Sequence, residues 1–102
     1  MSETGASRLA QEVADAIARY PDVEMRLGWF GADDSVQGEH GFYGCDVAHV
    51  YFPCGHLTMG VRVCRKHGET GSACFVGDED NTYPDVEAAI ADVARHVQSR
   101  QQ

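Results

Sequence analysis

The sequence has no long apolar run and few basic residues, and both absences limit what the protein can be. A membrane-spanning helix needs roughly 20 consecutive apolar residues, so we expect no membrane partner. The first five residues also lack the basic and apolar regions of a secretory signal. These absences favour a soluble protein of the cytoplasm.

Basic side chains are half as numerous as acidic ones. The 8 Lys and Arg residues against 16 Asp and Glu residues give a formal net charge of −8. Nucleic-acid binding depends largely on Lys and Arg that neutralise phosphates, so no direct nucleic-acid contact is expected. A charged partner would present a basic surface, and the alternative is that the charge serves only solubility.

The chain of 102 residues fits one domain and contains no internal repeat or linker. We expect a disordered lead over residues 1–5, a single α+β domain over 6–98 and a frayed tail over 99–102.

Two amphipathic helices frame this domain. Apolar residues recur at helical spacing from Ala6 to Tyr20, where Pro21 disfavours helical geometry in the residue before it. A second helix follows Pro84, with Asp85 as its N-cap.

The region between the helices is predicted to form four strands. Residues 23–30 alternate, with Trp29 on the inward side, and residues 31–35 are typical of a turn. A long return strand starts at Val36. Glycine bends in this strand are expected to turn His40 and Asp46 to the surface.

The centre of the pattern is a hairpin with a two-residue turn at Cys54 and Gly55, expected to be type I′. Phe52 then faces Leu57, and one face of the hairpin is almost wholly apolar, as a correct register requires.

A fourth strand over residues 72–76 is predicted to place Phe75 opposite Val63 in the core. The predicted fold is therefore α+β in the order α-β-β-β-β-α, a four-stranded antiparallel meander with both helices packed on one face. The other face would carry a mixed set of side chains that suits a partner or a homodimer: Val47, His49, Tyr51, Thr58, Arg62 and Val76.

Cysteines supply a candidate metal site. The predicted register aligns Cys45, Cys64 and Cys74 on neighbouring strands, with His67 close by, and three thiolates with one imidazole form a structural zinc set. A Cys45–Cys64 disulfide is a rival that a reducing cytosol disfavours. The third alternative is a row of semi-buried thiols.

Cys54 and His56 form a second candidate, because a neighbouring imidazolium can activate a thiol. No orienting carboxylate lies nearby in sequence, and the turn itself explains Gly55 between them.

Acidic residues collect around the start of the second helix: Asp78, Glu79, Asp80, Asp85 and Glu87. The spacing resembles the opening of a calcium loop, but Tyr83 and Ala89 occupy the positions where that loop needs Gly and Glu. We interpret the group as a patch for a cationic partner, or else as a solvated loop that caps the helix.

The leading hypothesis is a small acidic protein-binding module, an inhibitor or adaptor of the immunity, antitoxin or phage anti-defence type, that docks on a basic surface and needs no cofactor. Its predicted contacts are the acidic patch with His49, Tyr51 and Arg62. One alternative is a small zinc-binding domain, and a further alternative is a thiol enzyme that uses Cys54 and His56.

Overall fold

The computed structural model describes residues 5–38, 41–66, 73–77 and 81–100. Within these residues the order is α-β-β-β-β-β-α, which confirms the α+β class but gives five strands rather than four. All five form one antiparallel sheet with the strands in chain order.

The helices begin and end close to the predicted positions. The elements are α1 (Gly5–Ile17), β1 (Arg26–Gly38), β2 (Gly41–Cys54), β3 (Leu57–Lys66), β4 (Cys74–Val76), β5 (Thr82–Tyr83) and α2 (Val86–Arg100). Helix α1 ends at Ile17 rather than Tyr20, because the Tyr20 amide bonds only three residues back, to the Ile17 carbonyl at 2.9 Å. Bonds of that type tighten the last turn of a helix.

Both helices pack on the same face of the sheet. Their buried residues form one core with the inward residues of the strands: Leu9, Val13, Ile90, Val93 and Val97 from the helices, and Ala48, Val50, Phe52 and Val63 from the sheet. The opposite face of the sheet has no helix of the described part against it.

The central hairpin has its turn one residue later than predicted. Cys54 pairs with Leu57, so the turn residues are Gly55 and His56. Gly55 has a φ of 65°, and His56 does not have a positive φ, which is the pattern of a type II′ turn. Moving the turn by one residue shifts the pairing by two, so every side chain stays on its predicted face.

The predicted turn over residues 31–35 is wrong. Strand β1 continues through it to Gly38, which pairs with Gly41. The polar residues that suggested a turn lie at a register irregularity between Asp33 and Val36. A bulge of this kind absorbs extra residues without ending the strand.

The predicted pairing of Phe75 with Val63 is also wrong, by one residue. Val63 pairs with Val76, and Cys64 pairs with Phe75. Because side chains alternate along a strand, this slip exchanges the faces. Cys74 therefore lies in the main core, whereas Phe75 lies on the sheet face away from the helices.

Candidate functional site

The sheet face away from the helices has a closed end and an open end. At the closed end Cys45, Val47, Cys64 and Phe75 form a second buried cluster. At the other end lie six residues that we call the open sheet face: Arg26, Trp29, His49, Tyr51, Thr58 and Arg62. The predicted contact residues His49, Tyr51 and Arg62 are thus brought together, while Val47 joins the closed end and Val76 faces the main core.

Trp29 reaches this surface because of a bulge. The register of β1 with β2 shifts between Leu27 and Trp29, so that Leu27 faces Val50 but Trp29 faces His49. Trp29 was expected to point inward, yet it is 49% exposed. The signal in the sequence is Gly28, since a glycine inside a strand often marks a bulge.

Trp29, His49 and Tyr51 form a row of rings across the two strands, which we call the aromatic row. The edge of one ring meets the face of the other between Trp29 and His49, with centroids 5.2 Å apart. His49 and Tyr51 are stacked at 6.2 Å. These arrangements are favourable for aromatic pairs, so the exposed Trp29 ring is supported by the half-buried His49 and Tyr51 rings.

Glycines make room for these rings. A β-carbon at position 28 would lie 1.9 Å from the Tyr51 ring, and one at position 60 would lie 3.1 Å from the same ring. A β-carbon at position 31 would lie 2.7 Å from the Trp29 ring. Larger residues at positions 28 and 31 would displace the rings that rest on them.

Cations flank the aromatic row. Arg26 and Arg62 are exposed at its two sides, and the Arg62 guanidinium donates to the Gly77 carbonyl at 3.5 Å. Arg26 and Arg62 are the charged members of the open sheet face, and the β1 position of Asp33 lies opposite Cys45 at the closed end. The exposed acids of the helical layer, such as Asp15 and Glu87, lie on the other side. The open sheet face thus carries positive charge although the protein is acidic as a whole.

A cavity of about 440 Å³ adjoins the aromatic row at Tyr51. Val23, Met25, Phe52 and Pro53 supply apolar surface to it, and Glu24, Arg26, Tyr51 and Thr58 also line it. Half of the lining residues are apolar and half are polar or charged, so the cavity could receive a side chain that has both an apolar and a polar part.

The predicted acidic patch is only partly described, because Asp78, Glu79 and Asp80 lie outside the described residues. The Asp85 carboxylate accepts from the Ala88 amide at 2.7 Å, so Asp85 is the expected N-cap of α2. Glu87 lies 2.9 Å from Arg19 of α1. Both acids thus have contacts within the fold while staying exposed.

The cysteine row expected for zinc does not form in the observed register. Cys45 pairs with Lys66 and Cys64 pairs with Val47, while Cys74 lies on the opposite face in the main core. His67 is outside the described residues. In the described part of the chain, no group of three or more His, Cys, Asp or Glu side chains is placed to hold a metal ion.

Cys74 is placed as a buried core thiol. Burial raises its pKa from 9.0 to about 11, and the nearby Arg65 offsets this only in part. Its thiol donates to the Asp85 carbonyl at 3.4 Å. A thiol with so high a pKa stays protonated at neutral pH and is a poor nucleophile.

Cys54 and His56 lie at the tip of the β2–β3 hairpin. Cys54 is half-buried in the last position of β2, and His56 is exposed in the turn. A hairpin tip that is open to solvent does not exclude water from a reacting group, as an enclosed active site does.

A buried charged group ties α1 to the sheet. Asp46 and Arg65 face each other across β2 and β3 and are 0% and 1% exposed. Arg65 Nη2 lies 2.7 Å from Glu12 Oε2 of α1. The Asp46 carboxylate also lies against Gly5, where a β-carbon would be 2.3 Å from Oδ2. Asp46 was expected at the surface, but it is buried opposite Arg65 and against Gly5 at the start of α1, where the helix dipole is positive.

Comparisons of the chain with protein families, curated proteins and solved structures found no match. Neither helix of the described part combines the length and apolar content that crossing a bilayer requires. The functional argument therefore depends on the open sheet face and its surroundings.

Proposed function

We propose that this protein is a small protein-binding module, an adaptor or inhibitor of the cytoplasm, that contacts its partner through the open sheet face. The observation that carries the proposal is the aromatic row with Arg26 and Arg62 beside it, on a sheet face that neither described helix covers. Trp, Tyr and Arg are the residue types enriched at the energetic centres of protein interfaces. Tyr and Trp side chains also lose little conformational entropy on binding, because each has only two side-chain torsion angles.

The partner we propose is a protein segment that carries acidic side chains and one apolar anchor. Carboxylates would pair with Arg26 and Arg62, and the anchor would enter the cavity beside Tyr51. Arginine suits this role because its guanidinium can pair with a carboxylate through two parallel hydrogen bonds. The net charge of −8 would oppose approach from other directions, so binding would select the orientation that presents the open sheet face.

The test uses a displayed library of short peptides, from which acidic peptides with an apolar residue are selected and then titrated. Trp29 is the only tryptophan in the chain, so its fluorescence reports binding at the aromatic row. Arg62→Glu is expected to weaken binding by about tenfold or more, which corresponds to about 1.4 kcal/mol. Arg95→Glu is the matched control, since Arg95 is exposed on α2.

Two outcomes would contradict the proposal. One is selection of basic peptides in place of acidic ones. The other is an equal loss of affinity in Arg62→Glu and Arg95→Glu, which would show general charge effects in place of contact at the open sheet face.

A second candidate is the docking of the acidic surface on a basic partner, which the net charge of −8 favours. Asp85→Ser tests it, because serine keeps an N-cap while it removes the charge. We combine it with Glu87→Gln. Salt-sensitive binding to a basic peptide that falls in this double variant, without a change in melting temperature, would support the second candidate over the first.

A further inference from the structure

The outer edge of β3 has no strand against it over Leu57–Val61 in the described part of the chain. Among the residues that the structure describes, strand β4 pairs with Val63 and Cys64 of β3. The last hydrogen bond along this edge joins the Gly77 amide to the Arg62 carbonyl at 2.9 Å. The segment beyond it extends towards the tip of the hairpin with every residue from Leu57 to Gly60 exposed.

The backbone groups that this edge presents follow from the alternation of an antiparallel ladder. The Arg62 carbonyl points towards β4, so the N–H and C=O groups of Gly60 and Thr58 point to the same side. Met59 and Val61 direct theirs towards β2, where they pair with Phe52 and Val50. The edge therefore offers two donors and two acceptors in a regular strand geometry.

This edge lacks the features that normally prevent strand pairing. Natural edge strands are protected by charged residues, proline or bulges. Strand β1, at one side of the sheet, has register irregularities near Gly28 and near Asp34. Leu57–Val61 contains no charged residue and no proline, and its pairing with β2 is uninterrupted.

The side chains of the segment are apolar on one face. Leu57 is 68% exposed and Met59 is 41% exposed, and Val61 follows on the same side as a half-buried residue. An exposed edge with apolar side chains on one face is a template for addition of another strand.

We infer that the occupant of this edge is a second copy of the same chain, paired antiparallel about a twofold axis at Met59. Met59 is the midpoint of the five-residue segment, so the symmetric register places it opposite its counterpart and places Leu57 opposite Val61 of the other copy. Thr58 and Gly60 then exchange four hydrogen bonds between the copies. No like charges face each other in this register, and the result is a continuous sheet through both molecules.

Sedimentation velocity over a range of concentrations tests this inference on the purified protein alone. Thr58→Pro removes an N–H that points outward and leaves the ladder with β2 intact. Met59→Lys places two like charges opposite each other at the axis. Each substitution is expected to raise the dimer dissociation constant by about tenfold or more. Phe30→Lys is the control, because Phe30 is an equally exposed apolar residue, 46% exposed, on β1.

Cysteine crosslinking tests the register. Residues opposite each other at a non-hydrogen-bonded site have Cα atoms about 4.5 Å apart, which a disulfide can bridge. Met59→Cys is therefore expected to give a covalent dimer under mild oxidation, well above the yield of the unmodified chain. Thr58→Cys faces Gly60 of the other copy and Pro53 of its own chain, so it has no opposite cysteine and is expected to crosslink far less.

Three results would overturn the inference: a monomer at every concentration, a dimer that Thr58→Pro and Met59→Lys leave unchanged, or equal crosslinking of the two cysteine variants. The experiments need no partner protein. Their failure would leave the proposed role of the open sheet face untouched, and failure of peptide binding would leave this dimer untouched.

Discussion

The ring of Tyr51 lies over Gly28, at a distance that leaves no room for a β-carbon at position 28. This contact joins the bulge of β1 to the aromatic row on β2. The bulge turns Trp29 outward, and the missing side chain at position 28 lets Tyr51 lie flat beside His49. One glycine thus sets the geometry of two of the three rings.

Gly28→Ala is expected to destabilise the fold by about 1–3 kcal/mol, the usual cost of forcing extra volume into a packed site. The cost should nearly vanish when Tyr51 is also replaced by Ala, since the clash then has no partner. Chemical denaturation of the two single variants and the double variant measures this coupling. An unchanged cost in the Tyr51→Ala background would mean that the strand conformation, and not the ring, requires glycine.

Arg65→Ala is expected to destabilise the protein by about 3–5 kcal/mol, because it removes a buried guanidinium that is paired with Glu12 and lies opposite the buried Asp46. Arg95→Ala serves as the comparison: Arg95 lies 2.6 Å from Asp92 on the surface of α2, and a surface pair of this kind contributes about 0–1 kcal/mol. Urea unfolding of both variants decides the point. If both variants lost the same free energy of unfolding, the structural role assigned to the buried Arg65 would be contradicted.

Native-state alkylation is expected to modify Cys54 before the other three cysteines. Cys45, Cys64 and Cys74 are buried, and the raised pKa of Cys74 keeps its thiol protonated. Mass spectrometry after a timed exposure to iodoacetamide identifies the modified sites. Early modification of Cys74 would contradict its place in the core, and labelling of Cys54 much faster than a small-molecule thiol would revive the thiol-enzyme hypothesis.

Tyr83 and Asp92 are expected to make stability depend on pH at both extremes. The Tyr83 hydroxyl donates to the Asp92 carboxylate, which raises the pKa of Tyr83 from 10.0 to about 12 and lowers the pKa of Asp92 below 3.8. The stabilising contribution of Tyr83 is complete below pH 10 and is lost as pH rises towards 12. That of Asp92 is complete above its unfolded pKa and is lost as pH falls through the lowered folded pKa.

Thermal melts of Tyr83→Phe and Asp92→Asn across this pH range check the pair. Compared with the unmodified chain, the melting temperature of Tyr83→Phe should depend less on pH at high pH. That of Asp92→Asn should depend less on pH at low pH. Unchanged slopes in both variants would show that other groups govern the pH response. Both residues are half-buried and in contact with solvent, so only the direction of the effect is predicted.

The central hairpin was predictable because its apolar residues alternate without interruption. Val50, Phe52, Val61 and Val63 all lie on the face that the sequence indicates, even though the turn starts one residue later. Each side chain stays on its predicted face of the sheet, because the displaced turn moved the pairing by two residues. The positions of Cys54 and Gly55 alone do not distinguish the two turns, because glycine suits either central position.

Trp29 and Phe75 were placed on the wrong faces for a different reason. Each lies beyond an irregularity, a bulge at Gly28 for one and the β3–β4 connection for the other, and a single extra residue reverses the direction of every side chain that follows. Asp46 is a third case, because its burial depends on α1 and Arg65, which are distant in sequence. The alternation of side chains along the strands predicts that His49, Tyr51 and Arg62 belong to the candidate site. Trp29 also belongs to it, but its position follows only from the bulge at Gly28.

The packing of both helices on one face has a practical consequence. Gly5 begins α1 and Arg100 ends α2, so the described chain begins and ends in the helical layer. A linker, a fluorophore or a solid support attached next to Gly5 or Arg100 would therefore be joined to the helical side of the sheet. Arrays, fusions and immobilised sensors made in this way would present the opposite side of the sheet to whatever is in solution.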